Sequence, residues 1–92
     1  MKIPNSIIIS GVKFKVNQLD VIHDDVFGNY DLKEGVINLD KRLPEDVKIG
    51  VFFHEVLHLT SFFCETDMNE ADTTRTAWSF YEVLSNNKLL KE

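Results

Sequence analysis

The chain has 92 residues, with 15 acidic and 10 basic side chains and a formal net charge of -5. Hydrophobic residues make up 43% and charged residues 27%, a profile typical of one soluble globular domain, which excludes two ordinary domains or wholesale disorder. The acidic balance argues against a nucleic-acid partner, which needs clustered Lys and Arg. No clean run of about 18 apolar residues is present, so we expect no membrane span.

The first part of the chain is β-rich. Residues Ile7–Ile9 and Val12–Val16 flank Ser10-Gly11 and predict a hairpin, because apolar residues alternate with Lys in the second segment. Residues Phe27–Asp31 and Val36–Leu39 predict a second hairpin, in which Gly35 supplies a positive φ. The polar stretch between the hairpins, which contains His23, is interpreted as a solvated loop.

The second part of the chain is α-helical. A first helix is predicted over about 44–63, because Pro44 suits the first turn of a helix and acidic residues follow it. Its apolar residues lie on almost every side, so we expect this helix to be buried in the protein.

A second helix is predicted over about 68–86, with Asp67 as its N-cap and Glu70 at the capping-box position. The short connection predicts that the two helices pack antiparallel. The predicted buried stripe of the second helix consists of Ala77, Phe80, Tyr81 and Leu84. Cys64, near the end of the first helix, is expected to be a buried thiol.

The sequence His54-Glu55-Val56-Leu57-His58 carries the candidate chemistry. Histidines at i and i+4 of a helix point to one side, where both imidazoles can bind one zinc ion. Glu55 projects about 100° from His54 and can act as general base on a zinc-activated water without ligating the metal. The competing interpretation is that both histidines are ordinary helix residues with ordinary hydrogen-bond partners.

A catalytic zinc ion needs a third protein ligand and an open coordination position. The candidates are Glu65, Asp67, Glu70 and Asp72. Glu70 is favoured because it continues the predicted buried stripe of the second helix, although a capping box explains the same spacing. Tyr30 and Tyr81 are further candidates, as donors to a transition-state oxyanion, and Arg75 is expected to form a surface salt bridge.

The motif and its surroundings resemble the zincin metallopeptidases. The segment Phe53–His58 follows the predicted strand Gly35–Asp40 and precedes a helix that carries Glu70. This order of strand, motif and helix is similar to that of small phage- and prophage-encoded zincin-like proteins. The segment Glu70-Ala71-Asp72 is also similar, more distantly, to a stretch of the ImmA/IrrE-type peptidases.

This resemblance implies a minimal zincin-like α+β fold: a small twisted antiparallel or mixed sheet packed on the active-site helix and on a glutamate helix. It implies His54, His58 and Glu70 as gluzincin-type zinc ligands, Glu55 as catalytic base, and a peptide or protein substrate bound along the Phe27–Leu39 hairpin. Compared with full-size zincins, which have a C-terminal subdomain, the resemblance implies a cleft with one wall and inefficient general proteolysis. Because ImmA-type peptidases cut specific regulatory proteins, it also implies a dedicated protein partner that completes the site.

Two functions are therefore predicted for the single domain over residues 1–92. The first is a zinc-dependent metallopeptidase, and the alternative is a non-catalytic zincin-like interaction module of a phage or mobile element. Since the first residues do not follow the pattern of a signal peptide and Cys64 has no cysteine partner, we expect a cytoplasmic protein. The resemblance alone implies that the cell is a bacterium or a phage-infected host.

Overall fold

The described residues form four strands and two helices, and the computed structural model describes residues 1–20, 26–66 and 68–87. The strands are β1 (Ser6–Ile9), β2 (Val12–Leu19), β3 (Gly28–Asp31) and β4 (Val36–Asp40), and the helices are α1 (Glu45–Cys64) and α2 (Glu70–Asn86). The predicted α+β class and both predicted hairpins are confirmed. His23 lies outside the described residues.

One mixed sheet contains all four strands, in the order β1-β2-β4-β3. The two antiparallel hairpins, β1-β2 and β3-β4, join along a parallel pairing of β2 with β4, in which Val16 lies opposite Ile37. Strand β2 continues to Leu19, beyond the predicted end at Val16, because residues 17–19 pair with residues 38–40 of β4. Strand β3 therefore lies at one edge of the sheet.

The hairpin turns require residues with positive φ. Ser10 and Gly11 connect β1 to β2 with φ values of 50° and 81°. Gly35 precedes β4 with a φ of 69°, which confirms the predicted role of this glycine. A side chain is rarely accommodated at that φ, so the turn fixes the register of β3 on β4.

The core lies between one face of the sheet and α1. Alternate residues of β2 and β4 face the helix, as the period of two along a strand requires. These strand residues pack against three buried residues of α1, and the two sets are Phe14, Val16, Ile37 and Leu39 on the strands and Ile49, Phe52 and Leu59 on the helix. Val12, which was predicted to join this face, is 42% exposed at the start of β2.

Helix α1 begins one residue after Pro44, which is its N-cap, and ends at Cys64. The expectation that α1 is buried on all sides is wrong at its C-terminal end, where Phe62 is 59% exposed. Among the described residues α1 alone has the length and composition of a membrane span, but core helices of soluble proteins also meet these criteria. Its contacts with the sheet and with α2 are those of a core helix.

Helix α2 begins at Glu70, two residues later than predicted. The N-cap is Asn69, whose Oδ1 accepts a hydrogen bond of 2.7 Å from the backbone N–H of Asp72. The predicted capping box between Asp67 and Glu70 is therefore wrong, and Asp67 itself lies outside the described residues. Asp and Asn side chains both suit an N-cap, but only one residue can directly precede the first helical turn, and here that residue is Asn69.

Two further burial predictions are wrong. Phe80, which was assigned to the buried stripe of α2, is 54% exposed. The buried residues of α2 are Thr73 and Ala77, so the stripe is narrower than its apolar composition predicts. Cys64, predicted to be a buried thiol, is exposed at the C-terminal end of α1.

A buried carboxylate closes the end of β4. Asp40 is 6% exposed and accepts hydrogen bonds from the side chain and the backbone N–H of Arg42, at distances of 2.8 to 3.0 Å. These hydrogen bonds, with the positive charge of Arg42, lower the pKa of Asp40 from 3.8 to about 2. The fold therefore favours the ionised carboxylate over the protonated acid.

Replacing Asp40 should change the acid limb of the stability curve. Because the pKa of Asp40 is lower in the folded state, the ionised carboxylate stabilises the fold above about pH 4, and this stabilisation is lost as the pH falls towards 2. The difference in unfolding free energy between the wild type and Asp40→Asn, measured with denaturant, should therefore shrink between pH 4 and 2. Asp20→Asn, in an exposed ion pair with Lys41, is the matched control; a pH-independent difference for Asp40→Asn contradicts the assignment.

Candidate metal centre

Helix α1 places two imidazoles side by side. His54 and His58 are one turn apart, their ring centroids are 4.6 Å apart and their Nε2 atoms are 3.0 Å apart. Their side chains are 16% and 20% exposed, so both rings lie at the surface of a cleft rather than in the core. This is the juxtaposition that the i, i+4 spacing predicts for a helix.

Glu70, the first residue of α2, meets both imidazoles. Its Oε1 lies 2.6 Å from Nε2 of His54, and its Oε2 lies 3.0 Å from Nε2 of His58. Partial burial opposes ionisation of this carboxyl, but the charge of His58 and the hydrogen bonds with both imidazoles outweigh burial and lower its pKa. The three residues, which we call the His-His-Glu group, have ligand atoms within 4.8 Å of one another and could hold a metal ion.

The other acidic candidates do not join the His-His-Glu group within the described part of the chain. Glu65 is the C-cap of α1, in the left-handed conformation with φ of 57°, and its side chain is exposed. Asp72 accepts a hydrogen bond of 2.9 Å from Arg75, which confirms the predicted surface salt bridge of that arginine. Asp67 lies outside the described residues.

Glu55 is a buried carboxyl beside the cleft. The residue is 6% exposed, lines the cleft next to the two histidines, and forms no hydrogen bond with any described residue. Burial, reinforced by the negative charge of Glu70, raises the pKa of Glu55 to about 7. A carboxyl group in this setting can take up and release a proton near neutral pH.

The angular positions on α1 explain why Glu55 is buried and the histidines are not. At 100° per residue, Glu55 lies about 60° from Phe52 of the core face and about 60° from His58 of the cleft face. It therefore sits at the boundary between the packed core and the open cleft. The sequence predicts this geometry from the spacing alone, although the burial depends on the sheet beneath the helix.

Thr74 contacts the second nitrogen of His54. The Thr74 Oγ1 lies 3.3 Å from Nδ1 of His54, one helical turn after Glu70 on α2. If Nε2 bound a metal, Nδ1 would carry the proton, and the threonine oxygen would accept a hydrogen bond from Nδ1–H. Sequence reasoning missed this residue, although its spacing of four from Glu70 was a readable signal.

Strand β3 and helix α2 form the walls of the cleft, whose volume is about 620 Å³. Tyr30 of β3 lines it and packs its ring on His58, with centroids 5.7 Å apart. The hydroxyl of Tyr81 instead donates a hydrogen bond of 3.1 Å to Asp46. Of the two tyrosines predicted as oxyanion donors, Tyr30 is therefore the one that the structure places in the cleft.

Comparisons of the chain with known protein families, with curated proteins and with solved structures return no match. The candidate metal centre therefore rests on the residues and distances given above.

Removing the Thr74 hydroxyl should weaken metal binding. Thr74→Val keeps the shape of the side chain but removes the partner of His54 Nδ1, and loss of such a partner lowers metal affinity by about 10- to 100-fold. Competition with a chromogenic chelator measures the affinity. Thr76→Val, on a different side of α2, is the control and should keep wild-type affinity; equal affinities for both variants contradict the role of Thr74.

Replacing Glu55 should stabilise the metal-free protein at neutral and alkaline pH. The raised pKa means that the folded state disfavours the ionised Glu55 carboxylate. The resulting loss of unfolding free energy begins above about pH 4.5 and is complete above about pH 7. Above about pH 7 the unfolding free energy of Glu55→Gln should exceed that of the wild type by up to about 3 kcal/mol, and at pH 5 the difference should be smaller. Denaturant unfolding in a chelator measures this, with exposed Glu82→Gln as control; a variant no more stable than the wild type at pH 8 contradicts it.

Proposed function

We propose that the protein is a zinc-dependent peptidase with a minimal zincin-like fold. The observation that carries the proposal is the position of Glu55: a buried carboxyl that forms no hydrogen bond with any described residue and faces a cleft beside the His-His-Glu group. Burying such a group costs stability, and a chemical role accounts for that cost better than packing does.

The His-His-Glu group fits zinc in ligand type and spacing. Two histidines and one glutamate are the protein ligands of one type of catalytic zinc site, which leaves one position open. Two nitrogens bound at 2.0–2.1 Å to a tetrahedral ion lie about 3.3 Å apart. The two Nε2 atoms are already 3.0 Å apart, so a small adjustment of the rings accommodates the ion.

In this proposal His54, His58 and Glu70 hold the ion, and the cleft admits the peptide. Bound zinc supplies Lewis-acid chemistry, which acidifies a water molecule and polarises the carbonyl of the substrate. The Glu55 carboxylate accepts the proton of the attacking water and delivers it to the amine that leaves. Tyr30, which packs on His58, is positioned to donate a hydrogen bond to the developing oxyanion.

Strand β3 supports binding of an extended substrate. It is the edge strand of the sheet next to the cleft, and its Gly28 and Tyr30 face α1. A peptide that adds to this edge forms backbone hydrogen bonds with β3 while its alternate side chains enter the cleft.

The alternative function is a non-catalytic interaction module on the same scaffold. The exposed aromatic ring of Phe27, 60% accessible at the rim of the cleft, is the observation that favours a docking surface. Docking alone, however, does not require a buried base beside two histidines. The behaviour of Glu55→Gln separates the two functions.

The test combines metal content with hydrolysis of an internally quenched random-sequence peptide library. Glu55→Gln should keep about one zinc ion per chain while hydrolysis falls by about 10²- to 10⁴-fold, because a general base contributes that much to the rate. His54→Ala and Glu70→Gln should lose the metal. A zinc content that His54→Ala leaves unchanged contradicts the metal site.

Glu65→Gln is the matched control for Glu70→Gln, since both glutamates follow the motif and only Glu70 contacts the histidines. It should retain both zinc and hydrolysis. If the zinc-loaded wild type hydrolyses no peptide and Glu55→Gln keeps full biological activity, the interaction module is the better description.

A further inference from the structure

The cleft continues beyond the His-His-Glu group along the first half of α1. Val47, Gly50 and Val51 line this part and precede His54 by seven, four and three residues. At 1.5 Å per residue they lie about 5 to 10 Å from His54 along the helix axis. We call this part of the cleft the apolar end.

Trp78 of α2 forms one wall of the apolar end, and Gly50 makes its position possible. A Cβ atom at position 50 would overlap the six-membered ring of the Trp78 indole. The ring therefore lies directly on the backbone of α1, where no side chain separates the two helices. In this position the indole remains 39% exposed and turns part of its surface to the cleft.

Strand β3 and the residues before it form the opposite wall. Phe27 lines the cleft with 60% of its surface exposed. Gly28 follows it, and a Cβ there would come within 2.7 Å of Val51 Cγ1, so the strand lies close against α1. Two exposed aromatic side chains thus face an apolar floor, and their exposure is costly until something apolar covers them.

The electrostatics of the cleft exclude acidic side chains. Among the described residues, those that line it include Glu55 and Glu70 but neither Lys nor Arg. The chain as a whole carries a formal charge of -5. A negatively charged side chain in the apolar end would meet neither Lys nor Arg among the described lining residues, only apolar groups that do not solvate its charge.

We propose that the apolar end is the specificity pocket, which selects substrates with an apolar, preferably aromatic, side chain one or two residues from the cleaved bond. Extended peptides advance about 3.3 Å per residue, so the near part of the apolar end, where Gly50 and Val51 lie about 5 to 6 Å from His54, is within two residues of the cleaved bond. The indole of Trp78 and the ring of Phe27 enclose that side chain. This inference rests on the proposed peptidase function, because it uses the same cleft.

The test uses hydroxamates, which bind to zinc and differ only in side chain. Zinc-loaded full-length protein should bind phenylalanine hydroxamate about tenfold or more tightly than glycine hydroxamate, because burial of one phenyl ring contributes at least that much. Glutamate α-hydroxamate, which keeps its acidic side chain, should bind no more tightly than the glycine compound. Trp78 is the only tryptophan, so its fluorescence reports binding, and calorimetry replaces fluorescence where it is mutated.

At saturating zinc, two variants should reduce the preference for phenylalanine over glycine hydroxamate to less than about threefold while still binding about one zinc ion per chain. Trp78→Ala removes one wall, and Gly50→Ala displaces the indole. Phe80→Ala, which removes an exposed aromatic ring of α2 outside the cleft, is the matched control and should keep the full preference.

The outcomes separate this inference from the proposed function. Bound zinc with no preference among hydroxamates, or a preference that both variants retain, overturns the specificity pocket and leaves the peptidase proposal intact. A clear preference in a protein that hydrolyses no peptide supports the pocket and overturns the peptidase. A protein that binds neither zinc nor hydroxamates overturns both.

Discussion

The antiparallel packing of α2 on α1 is the constraint on which the candidate site depends. Each step of three or four residues along α2 meets α1 about four residues earlier, which is the neighbour relation of two antiparallel helices. The successive contacts are Glu70 with His58 and His54, Thr74 with His54, Trp78 with Gly50 and Tyr81 with Asp46. One relative position of the two helices thus sets the ligands, the partner of a ligand and the wall of the cleft together, and a slip of one turn would separate them all.

Different faces of helix α1 contribute to the core and to the cleft. Phe52 and Leu59 pack on the sheet, His54 and His58 face the cleft, and Glu55 lies between the two sets. In a protein of 92 residues the core is small, so a buried carboxyl with a pKa of about 7 is a large cost relative to total stability. Such conflicts between local and global preference concentrate at functional sites, because elsewhere a hydrophobic residue would serve the fold better.

Local patterns predict local features well and distant pairings poorly here. The alternation in β2 and the turn glycine Gly35 predict both hairpins, and helical spacing predicts that His54 and His58 share one side. The parallel pairing of β2 with β4 could not be predicted, since alternation identifies a buried face but not the neighbouring strand. The N-cap was assigned wrongly because two good capping residues lie within three positions, and the exposure of Phe80 depends on how far α1 covers α2.

The position of Glu70 at the first residue of α2 links metal binding to the docking of that helix. Without a metal, the carboxylate and the two imidazoles hold one another through hydrogen bonds whose strength depends on protonation. An ion shared by the three side chains would replace these bonds with coordination and join the start of α2 to the middle of α1. Because the same packing places Trp78 on Gly50, an ion at one end of the cleft would also fix the wall at the other end. Binding of a metal would therefore be coupled to the shape of the apolar end through α2, although none of the three candidate ligands lies in the apolar end.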